Sequence, residues 1–283
     1  MINKQLLQKR FSKQATTYDE YASVQKKMAA HLIHQLEHRL INNESSSPQH
    51  ILEIGCGTGY LTSILLEKFP DAVITAVDLS PGMIDVARKR FDEQKINFIC
   101  GDIEQLNLDQ TFDLIISNAT FQWFNHLEVT LQKLCYALKE TGWLTFSTFG
   151  ERTFHELYTS YEQALSKLNI QKRTRLGQSF YSSQHLKKVC QSGHNELPVE
   201  VEVAEAEIIE SFPSVKAFFK SLKKIGANNS NREAHMQRPS VFKQLISIYE
   251  NQYSKDDVIP ATYHCLFATI RPKEMAYIKA NAL

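Results

Sequence analysis

The sequence predicts an α/β fold in which a parallel β-sheet has helices on both faces. Three observations indicate this fold class. Short apolar runs alternate with helical repeats between residues 50 and 149, as in successive β-α-β units. A glycine-rich turn directly follows the first apolar run. The run Phe112–Ser117 is almost entirely apolar, which is typical of a parallel strand buried on both faces.

Local signals predict the individual elements of this core. The helix after the second strand begins at Ser80-Pro81, where serine caps the helix and proline fits its first turn. The predicted strands are residues 50–54, 72–77, 96–100, 112–117 and 142–149, and the other predicted helices are residues 60–69 and 127–138. The crossovers between parallel strands should be right-handed.

Two further segments flank the core. Residues 3–43 lack proline and glycine and repeat apolar side chains at helical spacing, so we expect N-terminal helices that act as a lid. After residue 150 we predict helices at 151–168, 182–191, 213–225 and 239–252, and strands at 199–209 and 261–270. The expected division is a lid (1–47), a core (48–150), and a helical cap whose final strands complete the sheet (151–283).

Composition excludes several classes of protein. The 283-residue chain is 43% hydrophobic and has a net charge of +1, so it offers no broad surface for a nucleic acid. Its five cysteines contain no CxxC pair, which argues against a structural zinc site, and their odd number argues against a disulfide framework. The chain begins without the apolar segment of a signal peptide, and no apolar run approaches the roughly 20 residues of a membrane span. We therefore expect a soluble, cytoplasmic protein.

The strongest functional signal is the glycine-rich turn after the first strand. Its glycines are Gly55, Gly57 and Gly59, with Cys56 between the first two and Glu53 just before them. Glycine lets a ligand approach the backbone closely, and the following helix offers free N–H groups to a carboxylate. The dinucleotide fingerprint requires a glycine three residues after the second one, but that position is Tyr60. The turn therefore favours a nucleoside–amino-acid conjugate over NAD, although a tight turn without a ligand is an alternative.

Acidic residues follow the next two strands. Asp78, at the end of the second strand, is a candidate acceptor for ribose hydroxyls, or an acid that stabilises the following helix dipole. Asp102 and Ile103 follow the third strand and are candidates for contacts with an adenine ring, although Gly-Asp is also common in turns. Leu79 and Met83 complete the candidate cofactor contacts beside Asp78.

The loop after the fourth strand should lie where cofactor and substrate meet, because ligands bind outside the carboxyl ends of such strands. Asn118 is a candidate for holding the amino-acid end of the cofactor by its side-chain amide. Trp123 or Phe121 is a candidate wall for a cationic group, which a π face attracts. A packing role for Trp123 is an equal alternative.

These motifs together resemble the class I methyltransferases, Rossmann-like enzymes that use S-adenosylmethionine. Features outside the shared core resemble more narrowly the malonyl-acyl carrier protein O-methyltransferases of biotin synthesis. Those features are Arg10-Phe11, Ala15, Tyr18-Asp19, Ser147-Thr148-Phe149-Gly150, residues 221–227 and Thr262-Tyr263-His264. The resemblance covers nearly the whole chain. Trans-aconitate methyltransferases and some mitochondrial respiratory-complex assembly factors share the Asn…Gln-Trp pattern.

The resemblance implies transfer of a methyl group from S-adenosylmethionine to the free carboxylate of a malonyl thioester on an acyl carrier protein, without a metal. A carboxylate is already ionised at pH 7, so no general base is needed. The substrate carboxylate needs one cation, for which Arg173, Lys223, Arg175 and Arg152 are candidates. We expect Tyr18 to help close the site. Basic residues of the cap, including Lys187, Lys188 and Lys220, are expected to dock the acidic carrier protein.

Two other functional classes stay open from the sequence. An NAD-linked oxidoreductase is disfavoured by Tyr60. A non-enzymatic assembly protein could retain the same fold, because fold alone does not determine function. The intact glycines and Asp78 argue against a decayed site.

Overall fold

The computed structural model describes residues 1–43, 45–91, 96–171, 176–192, 197–227 and 238–273. Its strands are β1 (His50–Ile54), β2 (Val73–Asp78), β3 (Ile96–Cys100), β4 (Phe112–Ser117), β5 (Leu138–Phe149), β6 (Val199–Phe212) and β7 (Ile259–Pro272). Its helices are α1 (Lys4–Gln14), α2 (Tyr18–Tyr21), α3 (Ser23–Asn42), α4 (Tyr60–Lys68), α5 (Pro81–Arg88), α6 (Leu127–Tyr136), α7 (His155–Lys167), α8 (Ser183–Gln191), α9 (Val215–Lys224) and α10 (Pro239–Tyr253). Within these ranges, no helix combines the length and apolar character that a membrane span requires.

The strands form one sheet in the order β3-β2-β1-β4-β5-β7-β6. The pairs among β1 to β5 are parallel, whereas β7 runs antiparallel to both β5 and β6. The order reverses between β1 and β4, so a crevice opens beyond their carboxyl ends, where such sheets bind ligands. The predicted α/β fold with a parallel sheet is confirmed, and the two C-terminal strands complete its edge.

Helices cover both faces of the sheet. In β1, Ile51 faces a core that includes apolar residues of α3, α4, α5, α7, α9 and α10. Its neighbour Leu52 faces the opposite core, which includes residues of α6 and α8. Because alternate side chains of a strand point to opposite faces, the apolar run of β1 contributes side chains to both cores.

Serine caps set the start of several helices. The Ser80 hydroxyl accepts a hydrogen bond from the Met83 N–H at 3.3 Å, and proline follows at the first helical position, as the sequence predicts. Ser182 and Ser214 cap α8 and α9 in the same way. The cap of α5 lies at the crevice, because Ser80 and Met83 both line it.

The structure differs from the sequence prediction at several boundaries. The segment 3–43 forms three helices rather than one continuous repeat, with breaks at 15–17 and at Ala22. Strand β5 begins at Leu138, before the expected residue 142, and its pairing with β4 shifts register. Helix α7 begins four residues later than expected, because Phe154 has a left-handed backbone (φ 58°). The division into lid, core and cap stays a prediction.

Candidate active site

One cavity lies at the carboxyl ends of β1, β2, β3 and β4, beneath helix α1. Lining it are ten predicted site residues, Tyr18, Gly55, Gly57, Asp78, Leu79, Met83, Asp102, Ile103, Asn118 and Trp123. Helix α1 adds Lys4, Leu7, Gln8 and Phe11, none of which sequence reasoning singled out as a site residue. The structure therefore brings the motifs of four strand ends together around one space.

Neighbouring side chains pack closely against the first and third glycines of the turn, whereas the space beside the middle glycine is open. A Cβ at Gly55 (φ +71°) would lie 2.1 Å from the Thr120 hydroxyl, and one at Gly59 (φ +88°) would lie 2.5 Å from the Phe91 ring. A Cβ at Gly57 (φ +56°) would meet no atom within 4 Å. Gly55 and Gly59 are thus required by the fold, whereas Gly57 leaves bare backbone facing the cavity.

Asp78 joins the glycine turn to the start of α5. Its carboxylate accepts hydrogen bonds from the Gly57 N–H at 2.9 Å and the Ser80 N–H at 2.8 Å. Burial raises the pKa of this carboxyl to about 6, against the lowering effect of those two bonds. A carboxylate has about four acceptor positions, so capacity remains for hydroxyl groups in the cavity.

Glu53 lies behind the glycine turn and does not line the cavity. One of its oxygens accepts a hydrogen bond from the Thr62 hydroxyl at 2.6 Å. Its other oxygen, Oε1, is buried and has no hydrogen-bond partner among the described residues. Burial raises the pKa of Glu53 to about 8. Such an unsatisfied buried oxygen is rare in folded proteins.

A second, smaller cavity lies on the other side of the glycine turn. Its lining includes Cys56, Thr58, Lys26 and Tyr60, and it shares Tyr18 and Asn118 with the larger cavity. The Lys26 ammonium donates to the Asp19 carbonyl oxygen at 2.8 Å and lies 5.3 Å from the centroid of the Tyr60 ring. Among the described residues, no carboxylate lies within salt-bridge distance of Lys26. Sequence reasoning missed Lys26, because nothing in its neighbourhood along the chain indicates a ligand.

Helix α1 is fastened over the larger cavity by polar contacts. Gln8 donates to the Leu79 carbonyl at 2.9 Å, and the Ser12 and Ser80 hydroxyls are 2.8 Å apart. The Lys4 ammonium pairs with Asp102 at 3.2 Å and with Glu104 at 2.6 Å. Asp102, expected to contact an adenine ring, is therefore engaged in part by the lid itself.

Helix α2 holds the lid onto the glycine turn through Asp19. Its carboxylate accepts a hydrogen bond from the Thr58 hydroxyl at 2.6 Å and pairs with Arg90 at 2.5 Å. Burial raises the pKa of Asp19, but the bonds from Thr58 and Arg90 outweigh it, so the net pKa is lowered. Asp19 is therefore ionised at neutral pH and fastens the lid to the loop that forms the cavity floor.

Aromatic side chains line the larger cavity, and one of them, Tyr18, also lines the smaller one. The Phe11 ring lies edge-on to Trp123, with centroids 5.8 Å apart, and its centroid lies 6.3 Å from that of Tyr18. Burial, followed by the charges of Asp78 and Asp19, raises the pKa of Tyr18 well above its ordinary value. The phenol is therefore neutral at physiological pH.

Asn118 is held from two sides at the end of β4. Its amide N–H donates to the Gln25 carbonyl at 2.9 Å, and its oxygen accepts from the Ser147 hydroxyl at 2.6 Å. These contacts link the loop to α3 and to β5. The expected role of Asn118 in holding the cofactor stays a prediction, since one N–H and one lone pair are already used.

The predicted cations for the substrate carboxylate are not gathered at the cavity. Lys223 is exposed on α9 and does not line it. Arg152 pairs with Glu205 at 3.2 Å and Glu207 at 3.3 Å on the edge strand β6. Arg173 and Arg175 lie outside the described residues. In the described ranges, no cluster of three or more His, Cys, Asp or Glu side chains is arranged to hold a metal ion.

Comparison with known proteins agrees with this arrangement. Residues 51–142 match the family model described as a methyltransferase domain. The plantazolicin methyltransferase BpumL, solved with SAH, superposes with a TM-score of 0.52 at 18% identity, covering 95% of each chain. The YcgJ protein of Bacillus subtilis gives a TM-score of 0.54 at 15% identity, covering 85% of this chain and 99% of YcgJ. At these identities, the two structures establish only the Rossmann-like fold.

The curated relatives are much closer in sequence. The malonyl-[acyl-carrier protein] O-methyltransferase of Priestia megaterium is 52% identical over 273 residues, which cover 95% of this chain and 98% of the relative. The enzymes of the same name from Anoxybacillus flavithermus and Bacillus cytotoxicus are 49% and 48% identical, each over 95% of this chain. Identity of this extent includes the lid and the C-terminal half as well as the core. The protein belongs to the malonyl-[acyl-carrier protein] O-methyltransferase family, whose members are S-adenosylmethionine-dependent class I methyltransferases.

Proposed function

We propose that this protein transfers the methyl group of S-adenosylmethionine to the free carboxylate of malonyl-acyl carrier protein. The observation that carries the proposal is the bare backbone at Gly57, which faces a cavity roofed by α1 and adjoined by a second cavity containing Lys26. The names of the relatives supply the acceptor. The place of the reaction in biotin synthesis follows from the resemblance described above.

The residues present fit S-adenosylmethionine. The larger cavity would take the adenosine, with Asp78 accepting from the ribose hydroxyls and Ile103 and Met83 packing near the base. The smaller cavity would take the methionine end, where the half-buried Lys26 ammonium offers a cation to its carboxylate. The unpartnered Glu53 oxygen behind the same turn has acceptor capacity for a donor, such as an ordered water that links it to the methionine ammonium. Leu79 in the larger cavity and Cys56 in the smaller one would complete the site through the backbone, whereas Gly59 lines neither cavity and would act only by shaping the turn.

When bound, the cofactor supplies an electrophilic methyl group on a positively charged sulfur. The protein's own contribution is to align the substrate carboxylate with the methyl group, because an ionised carboxylate is already a competent nucleophile. Phe11, Tyr18 and Trp123 line the larger cavity, where they would exclude water and offer π faces to a cation. We assign the neutral Tyr18 phenol an orienting role, in which it would donate a hydrogen bond to a carboxylate.

One of the candidate cations for the malonyl carboxylate is already paired, because Arg152 is engaged by two glutamates of β6. Arg173, Arg175 and Lys223 stay candidates for this role. Esterification removes the negative charge, so a single cation would bind substrate more tightly than product and would promote product release.

The remaining assignments concern partners and compartment. An acidic acyl carrier protein should dock on basic residues of the C-terminal half, and no nucleic acid or membrane should be involved. We also assign the protein to the cytoplasm, because Cys56, Cys100, Cys190 and Cys265 are free thiols, as is usual in a reducing compartment.

The test is a methyl-transfer assay with S-adenosylmethionine and four acceptors offered separately. These are malonyl-acyl carrier protein, malonyl-coenzyme A, malonyl-pantetheine and trans-aconitate. We expect the highest kcat/KM with the carrier protein. Faster methylation of trans-aconitate would assign a small-molecule carboxylate methyltransferase instead. Binding of S-adenosylhomocysteine without methylation of any acceptor would contradict the proposed acceptor and favour a non-enzymatic role.

A further inference from the structure

Helix α9 presents a row of lysines on its solvent side. Lys216, Lys220 and Lys223 are exposed and are spaced four and three residues apart, so they lie on one helix face and form a basic stripe. The opposite face is fixed in the core by Val215 and Phe218. Among the described residues, no carboxylate forms an ion pair with any lysine of the stripe. A row of cations without internal partners is available to an external anion.

An apolar patch borders the basic stripe. Phe219 of α9 and Phe242 of α10 lie with ring centroids 5.3 Å apart, and Phe242 is 37% exposed. Exposed aromatic residues beside charged ones are typical of protein interfaces. The surface therefore offers charge along α9 and an apolar contact next to it.

The basic stripe is connected to the lid of the active site. Gly226, two residues after α9, has φ +73°, and a Cβ there would lie 3.3 Å from the Phe11 ring and 3.4 Å from the Arg10 backbone. Phe11 lines the larger cavity. The end of α9 thus abuts the part of α1 that walls the reacting space, so a carrier bound to the stripe would lie beside the lid.

Other charged surfaces fit an acidic carrier less well. Lys187 and Lys188 lie on α8, which packs with α6 on the opposite face of the sheet. Strand β6, at the edge of the sheet, exposes Glu200, Glu202 and Glu205 and contains no lysine or arginine, and although Arg39 and Arg152 pair with Glu202 and Glu205, the strand offers an acidic partner no cations of its own.

We propose that the basic stripe of α9, together with the Phe219–Phe242 patch, is the surface on which the acidic acyl carrier protein docks, and that α8 is not. This proposal rests on the proposed function, because the carrier is its substrate. The thioester arm would then pass from the stripe to the aromatic wall formed with Phe11. Charge complementarity selects the occupant, since the stripe is cationic and the carrier anionic.

The test compares two double charge reversals. One is Lys216→Glu with Lys220→Glu on the stripe, and the matched control is Lys187→Glu with Lys188→Glu on α8. Lys223 is left unchanged, because it is also a candidate for binding the malonyl carboxylate. For each variant, kcat and KM are measured with malonyl-acyl carrier protein and with malonyl-pantetheine, which has the same reacting group without the protein.

We expect the stripe variant to raise KM for the carrier protein roughly tenfold, as reversal of two exposed charges implies, with kcat unchanged. Its KM for malonyl-pantetheine and its affinity for S-adenosylhomocysteine should equal those of the wild type. The α8 control should resemble the wild type with both acceptors. An unchanged KM for the carrier in the stripe variant, or an equal rise in the α8 control, would overturn the docking site. Failure of the wild type to methylate either malonyl thioester would instead overturn the proposed function.

Discussion

The ammonium of Lys26 is the side chain whose proposed role can be measured most directly. Replacement by methionine keeps the length and most of the apolar volume of the side chain but removes the charge that would meet the methionine carboxylate. A hydrogen bond to a charged group contributes about 1.5–3 kcal/mol. Because each 1.4 kcal/mol is a factor of ten in affinity, Lys26→Met should weaken binding of S-adenosylhomocysteine roughly 10- to 100-fold.

Measuring the binding of two nucleosides distinguishes this role of Lys26 from a structural disturbance of the whole site. S-adenosylhomocysteine has the amino-acid carboxylate, whereas 5′-methylthioadenosine lacks the amino-acid part but keeps the adenosine. Lys26 also donates to the Asp19 carbonyl of the lid, so a structural effect would weaken binding of both ligands. A charge effect would weaken binding of S-adenosylhomocysteine alone.

Isothermal titration calorimetry of both ligands is the assay. The matched control is Lys27→Met, because Lys27 is the neighbouring residue on α3 and is exposed. It should bind both ligands as the wild type does, and Lys26→Arg should recover most of the lost affinity. Equal losses for the two nucleosides in Lys26→Met, or no loss at all, would refute the assignment of Lys26 to the carboxylate.

Three further predictions address the lid, the buried carboxyl and the glycine turn. Lys4→Met should increase the dissociation rate of S-adenosylhomocysteine severalfold in stopped-flow measurements, because α1 loses its ion pairs with the core; an unchanged rate would show that α1 does not retain the ligand. Because the pKa of Glu53 is raised from 4.5 to about 8, the carboxyl between these pH values is protonated in the folded protein and ionised in the unfolded chain. The unfolding free energy of the ligand-free wild type should therefore fall relative to Glu53→Gln by up to about 1.4 kcal/mol per pH unit over that range, and a pH-independent difference in urea titrations would contradict the raised pKa. Gly55→Ala should lower the unfolding free energy by about 3 kcal/mol through backbone strain and overlap with Thr120, whereas Gly57→Ala should cost only about 1–2 kcal/mol, so equal losses would refute the packing argument.

The sequence predicted those parts of the site that depend on a strand and the turn after it. Gly55 follows β1, Asp78 ends β2 and Asp102 lies two residues after β3, and parallel strands bring their carboxyl ends to one edge of the sheet. The order of the elements therefore sufficed to place these residues around a common space. Helix boundaries were less exact, as at Phe154, where a single left-handed residue delays α7.

What only the tertiary structure decided are the contacts between segments far apart in the chain. The fastening of Lys4 to Asp102 and of Asp19 to Thr58 joins the lid to loops about 40 to 100 residues away. The position of Lys26 beside the glycine turn also depends on packing between segments far apart in the chain. Helical periodicity shows which face of α1 or α3 is apolar but not which loop that face meets. The sequence by itself thus determined the sheet and its strand-end motifs, because these follow local pattern, whereas the contacts of α1 and α2 with the core and the position of Lys26 follow from packing.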